Sequence, residues 1–192
     1  MATPARQIAD RHLRPYLTGQ GFTGHGNAFR SHASNGDAMV VGLKMSSGTS
    51  KAESQFYVNL GLVPLPWLEY IRSSRNPADL AKPDPSEALV SGRLPPPNRL
   101  YWTADAQNVD QIGEAIVAGL TEVLPRYLEL LDRSRFRALL EQDADLPGVC
   151  PRDAALAMLL IVSGHAERAE PELERIRQVD AESDFADWFA PN

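Results

Sequence analysis

The spacing of apolar residues along the chain changes from helical to alternating and back to helical. Over residues 3–19, Ile8, His12, Leu13, Tyr16 and Leu17 fall at helical spacing, which predicts an amphipathic helix. Pro15 interrupts it. Proline gives no backbone N–H and disfavours helix at Arg14, so a kink or two short helices are expected. From Phe29 the period becomes two. Asn35-Gly36 is a hairpin turn signal, because both residues tolerate positive φ. After it Met39, Val41, Leu43 and Met45 alternate with Ala38, Val40, Gly42 and Lys44. In the next run Phe56, Val58, Leu60 and Leu62 share one face. Three consecutive antiparallel strands follow from this pattern, with an apolar face that helices must cover.

PLPWLEYI (64–71) reads as a short helix begun at Pro66. Residues 77–97 hold six prolines, which excludes a regular helix there and predicts a surface loop, with a short strand at 88–94. RLYW (99–102) reads as an edge strand. Ile112, Ile116, Leu120, Val123, Leu124, Tyr127, Leu128 and Leu131 form the stripe of a long helix over 105–131. Thr103 or Asp105 is its expected cap and Pro125 its expected bend. RSRFRALLEQ continues as helix. From Pro151 onward two helices turn at Ser163-Gly164, with the small-residue spacing of a tetratricopeptide-type hairpin. Phe185, Trp188 and Phe189 then share one apolar face. The expected class is α+β, an antiparallel sheet of three to five strands packed against helices, with a C-terminal helical hairpin. Residues 1–140 are expected to form the α+β domain and 141–192 a helical extension packed on it.

The chain has 192 residues, enough for a core that needs no disulfide or metal. Cys150 is the only cysteine, so no internal disulfide can form. The N-terminal MATPARQIADRHL contains no apolar run of signal-peptide length, and no run reaches the length of a membrane span. A cytoplasmic protein, independent of membranes, is expected. The net charge of −6 is uneven: residues 1–60 carry +3, 61–110 carry −1 and 111–192 carry −8. A nucleic-acid footprint needs a dense basic face, and +3 over sixty residues is too thin for one. No nucleic-acid partner is expected.

Several fragments imitate catalytic motifs and fail on context. Gly19, Gly21 and Gly24 spell G-x-G-x-x-G, but a helix precedes them and a strand follows, the reverse of a dinucleotide fold. VGLK (41–44) resembles a kinase strand lysine and DFA (184–186) a metal-binding triplet. Yet the fifth residue after Asp153 is Met158, where a kinase catalytic loop needs Asn. The glycines instead end the first helix and shape a tight approach to the first strand. His165-Ala-Glu167 lacks the downstream cysteines of a zinc deaminase. His25 and His32 lack a third metal ligand at convincing spacing. Cys150 has no surrounding signature of an activated nucleophile and reads as a small apolar filler. No cofactor and no metal are implied.

One surface remains. If Phe29, Val41 and Val58 point inward, alternation sends Arg30, His32, Lys44, Tyr57 and Asn59 outward together. This face is basic, aromatic and amide-bearing, with no carboxylate. Arg93, Arg99 and Trp102 extend it if the later strands join the sheet. The alternative is an ordinary solvated sheet face. As a binding face it suits a protein partner or an anionic small ligand. Two functions follow. One is a non-catalytic binding or regulatory module, of which an immunity-like protein is one case. The other is an enzyme on a small anionic substrate, with His32 or His25 as acid–base and Arg30 and Lys44 as charge clamps.

The fragments Leu17 to Phe22 (L-x-x-x-G-F), Gly26 to Arg30 (GNAFR), Val40 to Met45 (VVGLKM) and Phe56 to Gly61 (FYVNLG) carry a further signal. With RLYW ahead of the long helix, they resemble the bacterial family called domain of unknown function 4304, over roughly residues 5–140. The resemblance implies an α+β domain with an antiparallel sheet. It brings no catalytic residues.

Overall fold

The computed structural model describes residues 2–50, 52–73, 82–97, 99–179 and 184–189. The chain opens with α1 (Pro4–Ile8), where Thr3 caps the first turn and Pro4 occupies a position that needs no donor. A π-helical turn, Ala9–Leu13, leads into α2 (Arg14–Gly19). The interruption expected at Pro15 takes the form of two short helices joined by a π-turn. The ladder widens just before the proline, and the Arg14 N–H donates to the Ala9 carbonyl five residues back. The stripe stays continuous, with Ile8, Leu13 and Leu17 fully buried.

Six antiparallel strands follow: β1 (Thr23–His25), β2 (Ala28–His32), β3 (Ala38–Met45), β4 (Ser54–Val63), β5 (Val90–Leu94) and β6 (Trp102–Ala104). The order is β1-β2-β3-β4-β5, and β6 shares with β5 the second edge of the long strand β4. The alternating pattern does not show β1, because three residues are too few to display a period. Its tight turn into β2 runs through Gly26, at φ 73°.

Register assigns the faces. Phe29, Val41 and Leu60 lie in one cross-strand row. With Leu43, Val58, Leu62 and Val90 they face α1, α2 and α4 (Val109–Leu128), whose Ile116, Leu120 and Leu124 complete the main core. The helix α4 starts later than Thr103 or Asp105. The Asp105 carboxylate instead accepts from the Gln107 and Asn108 N–H groups in the turn ahead of it. The opposite face is only half solvated. There Ala38, Val40 and Val63 pack under Leu68 of α3 (Leu65–Ile71), so six consecutive residues of β3, Ala38 to Leu43, are buried.

The C-terminal part consists of α5 (Arg133–Glu141), α6 (Arg152–Val162), α7 (Glu170–Val179) and α8 (Phe185–Phe189). The hairpin between α6 and α7 turns through Gly164, at φ 79°. Met158, Leu159, Leu173, Phe185 and Phe189 belong to the same continuous core as the sheet. The aromatic tail closes on α3: Phe185 stands edge-on to Tyr70, and the Tyr70 hydroxyl donates to Asp184 Oδ1 at 2.7 Å. Among the described residues no helix is long and apolar enough to cross a membrane.

Asp37 ties three of these parts together. Its carboxylate is 2% exposed. It accepts from Arg133 Nε and Nη2 at 2.8 and 2.6 Å, from the Leu65 N–H at 2.8 Å and from Asn35 Nδ2 at 3.0 Å. One anion thus fixes the β2–β3 hairpin, the start of α3 and the start of α5. Removing one partner of such a pair leaves a buried charge without compensation. We expect Arg133→Ala to lower unfolding stability by about 3 kcal/mol in chemical denaturation. Arg135→Ala, whose only described ion pair is an exposed one to Glu129 at 3.9 Å, should change it by less than about 1 kcal/mol.

Candidate functional site

The outer sheet face is divided by a strap, residues 83–89, that crosses it from β2 to β5. A 3-10 turn, Pro85–Glu87, forms its centre, and Asp84 caps that turn. Asp84 Oδ1 accepts from the Ser86 N–H at 2.9 Å and from its hydroxyl at 2.7 Å. The Glu87 carboxylate accepts the Asp84 N–H at 2.8 Å in return. The sequence Asp84-Pro-Ser-Glu87 is thus a reciprocal capping box, legible in principle from its spacing.

Three anchors hold the strap down. Arg30 Nε donates to the Pro83 carbonyl at 2.7 Å. Trp67 Nε1 donates to the Glu87 carbonyl at 2.9 Å. Arg72 grips the Glu87 carboxylate with Nε, at 2.6 Å, and Nη2. Burial acts to raise the Glu87 carboxyl, but the Arg72 hydrogen bond and the Asp84 N–H override it and hold the group below its ordinary range. Beneath the strap two sheet positions, Gly42 and Gly61, have no side chain. A Cβ at Gly42 would stand 2.7 Å from Pro85 Cγ, and one at Gly61 would stand 2.5 Å from Ala88 Cβ.

On one side of the strap lies the apolar half covered by α3. On the other lies an open cleft of about 720 Å³. Its floor is the row Ala28, Gly42, Asn59 and Arg93. Asp84 and Ser86 on the strap form one wall. The far wall is the chain at Val149, which bridges Ser91 of β5 with N–O distances of 2.9 and 2.8 Å. Val149 is 78% exposed and forms an apolar lip of the cleft.

The cations of the cleft are Lys44 and Arg93. The Arg93 guanidinium carbon sits 3.8 Å from the centre of the Tyr57 ring, and Tyr57 meets Tyr101 edge-on at 5.8 Å. Arg93 Nε donates to Asn59 Oδ1 at 3.4 Å. The stacked ring orients the guanidinium without neutralising it. Among the described residues neither Lys44 nor Arg93 forms an ion pair with a carboxylate.

The expected face is therefore split. Lys44, Tyr57, Asn59 and Arg93 come together on it. Arg30 faces the same way but is bonded to the strap. His32 is exposed and lies opposite Ala38 on the covered half, away from the cleft. The side chain of His25 lies outside the described parts. Arg99 is exposed ahead of β6 and does not line the cleft. Trp102 is on the other face: it pairs with Phe56, is 4% exposed, and donates Nε1–H to the Leu94 carbonyl at 3.0 Å. An indole opposite a core phenylalanine must face the core, because paired residues share a face. A carboxylate also reaches the surface after all, since the strap carries Asp84 to it. The proline-rich stretch is thus in part a structural cover and not only a surface loop.

A family model described as domain of unknown function DUF4304 matches residues 13–130, more than half of the chain. The chain belongs to that family. The matched stretch carries the sheet, the strap and the cleft residues Lys44, Asn59, Asp84 and Arg93, but neither Val149 nor the helices α5–α8. No match was found among curated proteins or among solved structures.

Among the described residues no three His, Cys, Asp or Glu side chains are grouped to hold a metal ion. Burial pushes the Cys150 thiol from its ordinary 9.0 to about 12, with the nearby Arg152 charge acting in the opposite direction. A thiol so held is neutral near pH 8 and a poor nucleophile. Burial likewise pushes the Tyr127 phenol from 10.0 to about 12, opposed by Arg126, and its hydroxyl donates to the Pro147 carbonyl at 2.8 Å.

Two outcomes follow. Iodoacetamide at pH 8 should leave Cys150 of the folded protein unmodified for hours while labelling it promptly in denaturant, as read by mass spectrometry. Stability contributed by the neutral thiol and phenol is complete below pH 9.0, where the unfolded groups also stay protonated, and is lost as pH rises towards about 12. Denaturation midpoints should fall steadily across that window. For the strap, Gly61→Ala forces two methyl groups together, and we expect a loss of about 1–3 kcal/mol. Faster hydrogen exchange at the Leu89 amide, which donates to the Leu62 carbonyl, should accompany it.

Proposed function

We propose that this chain is a binding module whose cleft receives an anionic ligand. One observation carries the reading: two cations, Lys44 and Arg93, line an open cleft and have no carboxylate partner among the described residues. Cations left without counter-ions in a concavity attract anions and raise their local concentration. The floor adds neutral hydrogen-bonding groups, Asn59 and Ser91, of the kind that fix orientation in small-ligand sites. Such a module acts through occupancy, as regulatory and immunity-like proteins do.

The catalytic alternative requires His32 or His25 beside Arg30 and Lys44. His32 is level with Ala38, and Lys44 lies six residues further along β3, about 20 Å away at the rise of a strand. Arg30 is engaged with the strap. This separation removes His32 from the cleft.

The test is a titration of isotopically labelled protein with adipate and with inorganic phosphate at low salt, followed by amide chemical shifts. Shifts should concentrate on Lys44, Asn59, Ser91 and Arg93. The double variant Lys44→Ala/Arg93→Ala should bind about tenfold more weakly, as two partly exposed ion pairs of about 0.7 kcal/mol each would give. Its thermal midpoint should stay close to that of the wild type. Unmoved cleft amides at saturating anion concentration would sink the reading.

A further inference from the structure

We infer that the ligand of this cleft is dipolar, a small linear molecule carrying both a carboxylate and an ammonium group. The inference rests on the anion-binding reading above and goes further, because the cleft also contains a fixed negative charge. Asp84 stands on the strap wall, while Lys44 and Arg93 line the same cleft from the sheet. Opposite charges that share one cleft ordinarily collapse into ion pairs; among the described residues none forms here. The geometry shows what prevents it. Asp84 is held by its Oδ1 to the Ser86 N–H and hydroxyl, and by its own N–H to Glu87. Arg93 is held flat over Tyr57 and bonded to Asn59. Asp84 is thus fixed on the strap and Arg93 on the floor, and both, with Lys44, remain available to a ligand.

The consequence is selection by repulsion as well as attraction. A dianion that satisfies Lys44 and Arg93 brings its second negative group towards Asp84. A dication that satisfies Asp84 brings its second positive group towards the two cations. A molecule with one group of each sign meets both walls favourably. The cleft, at about 720 Å³, lies within the range of small-molecule sites. Three probes of matched chain length separate the cases: ε-aminocaproate, adipate and hexamethylenediamine.

Asp84→Asn is a suitable variant, because asparagine keeps the capping oxygen and removes only the charge. Asp84→Ser keeps a capping hydroxyl and serves as the second variant should the first unfold. Titrations follow the amide shifts of the cleft, with thermal unfolding run beside them. The wild type should bind ε-aminocaproate more tightly than adipate, and hexamethylenediamine least of the three. In Asp84→Asn adipate should gain and ε-aminocaproate lose about two- to fivefold, as expected for one exposed charge pair. Adipate binding the wild type at least as tightly as ε-aminocaproate, or a ratio unchanged in both variants, overturns the dipolar inference and leaves the anion cleft standing. If none of the three probes moves the cleft amides, both readings fall together.

Discussion

Gly42 and Gly61 leave two diagonally related positions of the central strands without side chains, and the outer half of the molecule is organised around that gap. A backbone segment can lie on a sheet only where no Cβ holds it off, and the strap uses these two positions to cross. Pro85 and Ala88 fill the space, so the contact is apolar beneath while the turn above keeps its own capping bonds. Fixing the strap there closes one half of the face under α3 and leaves the other half as a cleft. The same contact also determines which residues are free. Arg30 serves the strap, whereas Lys44 and Arg93 stand beyond it.

Buried ion pairs act at the junctions of this architecture rather than in its core. Asp37 with Arg133, and Glu87 with Arg72, each connect segments distant in sequence. Their oxygens also accept backbone N–H groups at the start of α3 and of the strap turn. A carboxylate that holds an arginine and a backbone donor at once resists sliding, since movement in any direction breaks a charge-assisted bond. The two pairs meet at α3: Asp37 holds its first residue, and Arg72 follows its last. Through them α3 is located on both the sheet and the strap, and the aromatic tail packs on its Tyr70. The residues that cover the sheet and those that shape the cleft are therefore mechanically one unit.

Much of this was legible in the chain. Alternation over β3 and β4 and the Asn35-Gly36 turn specify antiparallel strands, and the period-two rule correctly sends Lys44, Tyr57 and Asn59 to one side. The stripe of α4 and the hairpin of α6 and α7 follow from helical spacing and from glycine at a left-handed position. The family resemblance pointed to the same α+β domain. Trp102 was misplaced because alternation gives relative faces within a strand, and only its pairing with Phe56 sets the absolute one. The π-turn before Pro15 was missed because a proline signals a lost donor without saying whether the helix breaks or widens.

The sequence by itself determined most of the elements, their order and the relative faces of residues within the longer strands, because these depend on local period and turn chemistry. It also supplied the cleft's cations, though as part of a larger face that included Arg30 and His32. Only the tertiary structure decided how that face is divided. The strap's path depends on contacts between residues 15 to 53 positions apart: Pro83 with Arg30, Pro85 with Gly42, and Glu87 with Arg72. No local pattern encodes such a meeting. It brought Asp84 to a surface expected to lack any carboxylate and joined Val149 to the edge of β5. A solvated sheet face thereby became a cleft with charges of both signs.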